Sequence, residues 1–270
     1  NYDHTLIDAG STPASQIASF TASEGNKFEV LKSQFIWSKV TLNRGLFPTA
    51  GQSQSFALQL AIPGSSITYA KATYRHKYFK PIFGGNLVLG LRGEIGALAP
   101  YGDTEIAPFF EHFYSGGISS VRGFKQNTLG PRATPSLYYL DDQGQPVLDE
   151  NGNPVSNPYA YYDNDRSIGG AFLVEAGIDF IFKLPLIEDQ RSMRSSFFID
   201  FGNVFSEDCG NQEININCSE LDFGELRYSY GVGVTWITQM GPMSLALAKP
   251  SNQGPLDETE NFQFEIGTQF

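Results

Sequence analysis

Few residues of this chain are of types that do chemistry, and their spacing favours ion pairing over catalysis. The stretch Gly116–Arg132, GGISSVRGFKQNTLGPR, sets one arginine, Arg122, between Val121 and the pair Gly123-Phe124. Its glycines Gly116-Gly117 permit close backbone approach or positive φ, and Gly130-Pro131 closes it with a turn signal. No strand-like alternation runs through it, whereas the runs on either side alternate cleanly. The segment reads as a long loop folded back into the structure, its arginine received by partners on those strands. Two carboxylates, Asp179 and Asp200, fall on the polar faces of later runs; taken alone, such a pair can do acid–base work. Cys209 and Cys218 lie nine residues apart in a polar stretch. They would close a small disulfide loop in an oxidising compartment, with two unpaired thiols as the alternative. His4, His76 and His112 stand in no metal-ligand spacing with the cysteines. There is no nucleophile elbow, phosphate-binding loop or His-x-x-x-His motif. The acidic turn residues from Asp141 to Asn153 lack an EF-hand pattern. The expectation is a protein with no catalytic residue, no metal and no cofactor, and not an enzyme.

Composition says what kind of scaffold must hold these groups. The 270 residues suffice for one large all-β domain or two ordinary ones. A net charge of −11 argues against a nucleic-acid surface. Charged residues make up only 17%, which is low for a soluble surface, while aromatics reach 14% with 22 Phe and 13 Tyr. No apolar run approaches the roughly 18 to 20 residues of a transmembrane helix. The chain begins at Asn1 without a signal peptide, so it reads as mature or as cut from something larger.

Period-two alternation dominates the rest. Residues 1–26 are polar and read as a loop segment. A run with imperfect alternation follows from Lys27 to Thr41. Phe56, Leu58, Leu60 and Ile62 then share one face against Ser55, Ala57, Gln59 and Ala61. Ala70, Ala72, Tyr74, His76 and Tyr78 oppose Lys71, Thr73, Arg75 and Lys77. Leu87, Leu89, Leu91 and Ile95 oppose Val88, Gly90, Arg92 and Glu94. Residues 99–166 break the pattern, and a loop this long is usually functional or disordered. Alternation resumes with Phe172 to Phe182, where Glu175, Gly177, Asp179 and Lys183 form the second face. In the next run Phe197, Ile199 and Phe201 oppose Phe198, Asp200 and Gly202. Three more runs, from Leu226, Met243 and Phe262, bring the count to nine strands.

The apolar faces are large and aromatic, and the opposite faces mix Gly, Ser, Ala and charge. A soluble sandwich would put charge outward. The turns at 43–51, 80–85, 184–192 and 239–242 are short, whereas the links at 99–166, 206–224 and 250–260 are long; only the link at Pro63–Ser66 is short on the otherwise long side. Short turns at one end and long loops at the other, joined by strands of this length, are the signature of an antiparallel transmembrane β-barrel. Closure is required because lipid offers backbone groups no partner. The fold class is therefore all-β, with 27–270 forming barrel strands and one long loop folded back into the structure; a two-sheet soluble domain is the alternative on pattern alone.

Four pieces of the sequence resemble the C-terminal barrel of the BamA family, in the wider superfamily of outer-membrane barrel-assembly and secretion pores, the bacterial surface antigens. They are Phe113-Tyr114-Ser115-Gly116-Gly117 with Val121-Arg122-Gly123-Phe124; Asn127 to Pro131; Ser196 to Gly202; and the ending Phe262 to Phe270. Leu42 to Thr49 looks like the family's periplasmic turn. The resemblance implies long extracellular loops, with 1–26 among them, and a location in the bacterial outer membrane. It also implies that the loop dips into the lumen, where Arg122 meets Asp179 and Asp200. A guanidinium cannot shed its charge, so in a confined lumen it needs a carboxylate. That makes the aspartates counter-ions rather than an acid–base pair. Gly267 matches a glycine that lets the last strand kink, and Phe270 the aromatic that ends most outer-membrane barrels. The family's barrel has about sixteen strands, so nine match its second half, and its periplasmic domains are absent here.

The function implied is assembly and insertion of other β-barrels into the outer membrane. Client proteins would enter at the seam beside the last strand, by strand addition. Implied partners are outer-membrane lipid, client barrels, and assembly-machine lipoproteins reached through the absent periplasmic domains; nucleic acid is not one. A secretion pore of the same superfamily, or a passive porin or adhesin barrel, is the alternative.

Overall fold

A computed structural model describes residues 1–270 except 8–13, 136, 140, 142–144, 159–165, 184–191, 208, 210–217, 219, 240 and 268–270. Its described strands are β1 (Tyr2–Leu6), β2 (Lys27–Val40), β3 (Gly51–Ala61), β4 (Tyr69–Ile82), β5 (Leu87–Pro100), β6 (Phe172–Phe182), β7 (Met193–Phe205), β8 (Arg227–Thr238), β9 (Gly241–Ser251) and β10 (Phe262–Ile266), with one helix, α1 (Ser15–Glu24). All ten strands form one antiparallel sheet in sequential order, each paired with its neighbours in the chain. Several strands run 11 to 14 residues, enough for a tilted strand to cross a bilayer core.

On the later strands the alternation sorts into two unlike faces. On β7, Phe197 and Ile199 are exposed, whereas Phe198, Asp200 and Val204 are buried. On β10, Phe262, Phe264 and Ile266 are exposed and Gln263 is buried. The face carrying charge is thus the covered one, the inverse of a soluble domain, and the aromatic face is the one that lipid would cover. The sheet curls: residues from β3 to β10, among them Ser55, Arg75, Arg92, Asp179, Thr235 and Glu265, line a single cavity of about 830 Å³.

Two readings from the sequence are corrected. Residues 1–26 are not wholly loop, since they hold β1 and α1; β1 raises the strand count from nine to ten. β1 escaped notice because it pairs only with the far end of β2, Tyr2 opposite Leu31 and Leu6 opposite Lys27, where its polar residues need no apolar face. α1 lacks a side-chain N-cap. Tertiary bonds hold it instead: Gln16 Oε1 accepts from the Thr134 amide at 3.0 Å, and Glu24 Oε1 accepts from the Glu105 amide at 2.7 Å. Phe20 anchors it in a cluster with Phe28, Phe109 and Phe110. The long loop is also displaced, because β5 runs on to Pro100 and β6 starts only at Phe172. It occupies 101–171 rather than 99–166.

Candidate functional site: an arginine latch inside the sheet

The loop between β5 and β6 carries Arg122 onto the inner faces of β6 and β7. Local backbone explains how it gets there. Gly116, Gly117, Gly123 and Gly130 all take positive φ, so the loop reverses direction repeatedly without strain that a Cβ would add. Wall glycines make the complementary room: a Cβ on Gly202 would lie 2.8 Å from Val121, and one on Gly177 would lie 2.5 Å from Arg92 Nε.

Arg122 Nε donates to Asp200 Oδ2 at 2.6 Å, and one terminal nitrogen donates to Asp200 Oδ1 at 2.8 Å and to Asp179 Oδ1 at 3.2 Å. The Arg122 amide adds a bond to Asp200 Oδ2 at 3.2 Å. This is the bidentate fork that suits a guanidinium. Its plane also stacks on Phe198, 3.5 Å from the ring centroid, a cation–π contact. Asp200 is 0% exposed at its side chain, and it receives a second guanidinium, Arg92, at 2.7 Å. Arg92 in turn donates to the carbonyls of Ser119 and Ser120, binding the loop just before the arginine. Asp179 is steadied by the Ser196 hydroxyl at 3.0 Å. Two carboxylates therefore balance two arginines within one buried cluster, and neither carboxylate is left for proton transfer.

The motif's other half faces the end of the chain. Gln263 Oε1 accepts from the Gly123 amide at 3.0 Å, and its Nε2 donates to the Phe124 carbonyl at 2.7 Å. The Glu260 amide donates to the Gly123 carbonyl at 2.8 Å, and the Lys125 amide to the Glu258 carbonyl at 2.9 Å. Lys125 and Arg132 both meet Glu258. Val121, Phe124 and Leu129 pack together, fully buried.

A second anchor, which sequence reading missed, holds the loop to the opposite wall. Glu111 is approached by Lys32 of β2, by Lys71 at 3.5 Å, by the Tyr69 hydroxyl at 3.0 Å and by Gln59 at 3.3 Å. Burial raises the Glu111 carboxyl, but Lys32, Lys71 and Tyr69 outweigh it and hold the group below its ordinary value. Next to it, His112 is half-buried and its Nδ1 donates to the Ile168 carbonyl at 2.9 Å. Burial lowers its pKa against the opposing pull of that carbonyl. Both shifts have the same sign for stability. A carboxylate held low loses its contribution as pH falls below 4.5, and a neutral buried imidazole loses its contribution as pH falls below 6.5. Protection of 101–135 from protease is therefore expected to be flat above neutrality, to decline below pH 6.5 and to decline again below 4.5. In a His112→Asn variant the first step should vanish; its persistence would remove His112 from the account.

The remaining sequence-predicted residues lie elsewhere. Cys209 and Cys218 are joined, with Cα atoms 5.6 Å apart, in the link between β7 and β8. Gly267 follows β10 with φ +146 and nothing within 4 Å of its Cβ position; its amide donates to the Pro242 carbonyl at 3.0 Å, so it takes no part in the latch. Phe270 lies outside the described residues. Of the missed groups, Arg92 and Gln263 had one visible signal, a place on the polar face of their strands. Glu111 had none.

Comparison with known proteins agrees with this architecture. The model of the Omp85 superfamily domain matches residues 1–270. The outer membrane protein assembly factor BamA of Neisseria meningitidis serogroup B is 34% identical over 248 residues, 87% of this chain and 28% of that protein. The same factor from Neorickettsia risticii is 20% identical over 231 residues, 85% of this chain and 26% of its own. Among solved structures, BamA from Haemophilus ducreyi lacking POTRA domains 1–3 superposes with a TM-score of 0.79 at 26% identity, covering 97% of this chain and 49% of that one. The chain thus spans about a quarter of the curated relatives it matches and half of the solved one. With its whole length matched and its sheet aligned on a solved barrel of the same kind, this chain belongs to the Omp85 superfamily and forms part of a β-barrel of the bacterial outer membrane.

Proposed function

We propose that the chain is the C-terminal barrel portion of an outer-membrane protein assembly factor, which promotes insertion of other β-barrels into the outer membrane. The observation that carries this reading is the latch: Arg122 on Asp200 and Asp179, with the same motif held to β10 by Gln263. A loop pinned this way fixes the inner wall beside the last strand, whose outer face is apolar and whose pairing runs to β9. Client strands enter at that edge by strand addition, where backbone pairing supplies affinity without demanding one side-chain sequence. The long links face outward from the cell and the short turns face the periplasm. Lipoprotein partners are met through the family's periplasmic domains. Nothing in the latch is catalytic.

The test is depletion of the full-length protein in its native cell, followed by folded and unfolded levels of several unrelated barrels. Assembly function predicts that all fall together while lipid asymmetry is still intact. If only one secreted passenger is lost, the secretion-pore reading replaces this one. If other barrels are unaffected and purified protein conducts ions with solute selectivity, the chain is a passive porin.

A further inference from the structure

We infer that Gln263 is a positioning residue which transmits the docked state of the loop to the last strand. The two ends of the latch differ in kind. Arg122 binds β6 and β7 by charge, whereas Gly123 and Phe124 are read by one neutral carboxamide from β10. That side chain is 3% exposed, and it must accept from one amide and donate to one carbonyl at once. A carboxamide does both, with its acceptor and donor on separate atoms of one rigid group. Glutamate keeps the acceptor and loses the donor; leucine keeps the volume and loses both. Asparagine is one methylene shorter and falls short of the loop.

The wall around it is built for close approach. Gln263 pairs across to Ala246, and a Cβ on Gly123 would come within 2.9 Å of the Ala248 Cβ. Small residues on β9 let the loop backbone come down onto β10 with no bulky group between them. Backbone bonds tie the loop to 258–260, the approach to the strand. From Phe262 onward the link is carried by Gln263. Releasing Arg122 from Asp200 should thus loosen β10, over 60 residues further along the chain than Asp200, because the motif that Gln263 holds is itself let go. The inference rests on the assembly reading only for its consequence, that a docked loop and a fixed client edge are one state.

Amide hydrogen exchange on the full-length protein in lipid nanodiscs tests this without any client. Arg122→Ala should raise exchange in 262–266. Gln263→Leu should raise exchange in both 121–125 and 262–266 by about thirtyfold, the effect expected of two neutral hydrogen bonds. In the double variant, Arg122→Ala should add nothing further in 262–266, because the link it acts through is gone. Gln263→Glu should protect the Gly123 amide while leaving β10 loosened. If Arg122→Ala leaves 262–266 unchanged, or if the two substitutions simply add, Gln263 is a packing residue and the inference fails. Should Gln263→Leu not fold, Arg122→Lys on the native Gln263 decides the question instead: raised exchange in 262–266 supports the link, and unchanged exchange there overturns it. Loss of client insertion with unchanged exchange would count against this inference and leave the assembly reading standing.

Discussion

Replacing Asp200 by alanine will destabilise the docked loop more than any other single change in the latch. The carboxylate is 0% exposed and shared by Arg122 at 2.6 Å and Arg92 at 2.7 Å. Its removal leaves two guanidinium groups in one pocket, with Asp179 at 3.2 Å from Arg122 as the remaining acid. Removing one partner of a well-buried pair costs about 3–5 kcal/mol, less where water reaches the survivor. Asp200→Ala lies at the upper end because two guanidinium groups lose their shared carboxylate and only Arg122 keeps an acid partner. Arg122→Ala lies lower, since Arg92 still neutralises Asp200. Asp179→Ala lies lowest, because its 15% exposed side chain leaves water a route to the site. Arg122→Lys should fall between wild type and alanine: a lysine keeps the charge but cannot form the fork. Heat-modifiable electrophoretic mobility, with trypsin cleavage after Lys125 and Arg132, ranks the series. Equal effects of Asp200→Ala and Asp179→Ala would show that a general negative potential holds the loop, not this geometry.

The second large effect is steric. Gly130 has φ +93, and a Cβ there would lie 2.2 Å from Val204 Cγ2 and 2.8 Å from the Val204 carbonyl oxygen. Gly130→Ala therefore incurs about 1–2 kcal/mol for a left-handed backbone and about 1–3 kcal/mol for overpacking. Val204→Ala in the same chain should recover only the part of the overpacking due to Cγ2, leaving the carbonyl contact at 2.8 Å and the backbone part. Gly152→Ala supplies the control: its φ is +80 but nothing lies within 4 Å of the new Cβ, so backbone strain alone is expected. Thermal midpoints of the three variants and the double separate the two terms. A Gly130→Ala midpoint no lower than that of Gly152→Ala would mean that loop and β7 do not touch in solution.

These two predictions differ in how far the sequence discloses them. The strands were legible because lipid on one side and loop or solvent on the other impose strict alternation, as on β7, where Phe197 and Ile199 face one way and Phe198 and Asp200 the other. Arg122 was legible as the odd charge in a glycine-rich loop, and its two aspartates as the acids on the covered faces of neighbouring strands. Glu111 was not legible, because its meaning comes from Lys32, Gln59, Tyr69 and Lys71 on three adjacent strands, brought together by strand register and met by a loop from further along the chain. Helix α1 was hidden for the same reason. Its sequence, SQIASFTASE, has little preference of its own, and its bonds to 105–134 decide it. Local rules report what a segment does for itself; they are silent where a distant partner decides.

The strand order has one further consequence. Every strand pairs with its neighbour in the chain, so each can be added to the one before it, across short links or, between β5 and β6, across the long loop. The latch is different: Arg122 and Asp200 are 78 residues apart, and Gly123 and Gln263 are 140 apart. The first contact waits only for β7, and the second waits for the last strand of all. The motif is thus held in two stages: Arg122 finds its carboxylates once β7 is in place, and Gly123 and Phe124 come to rest only when the final strand brings Gln263.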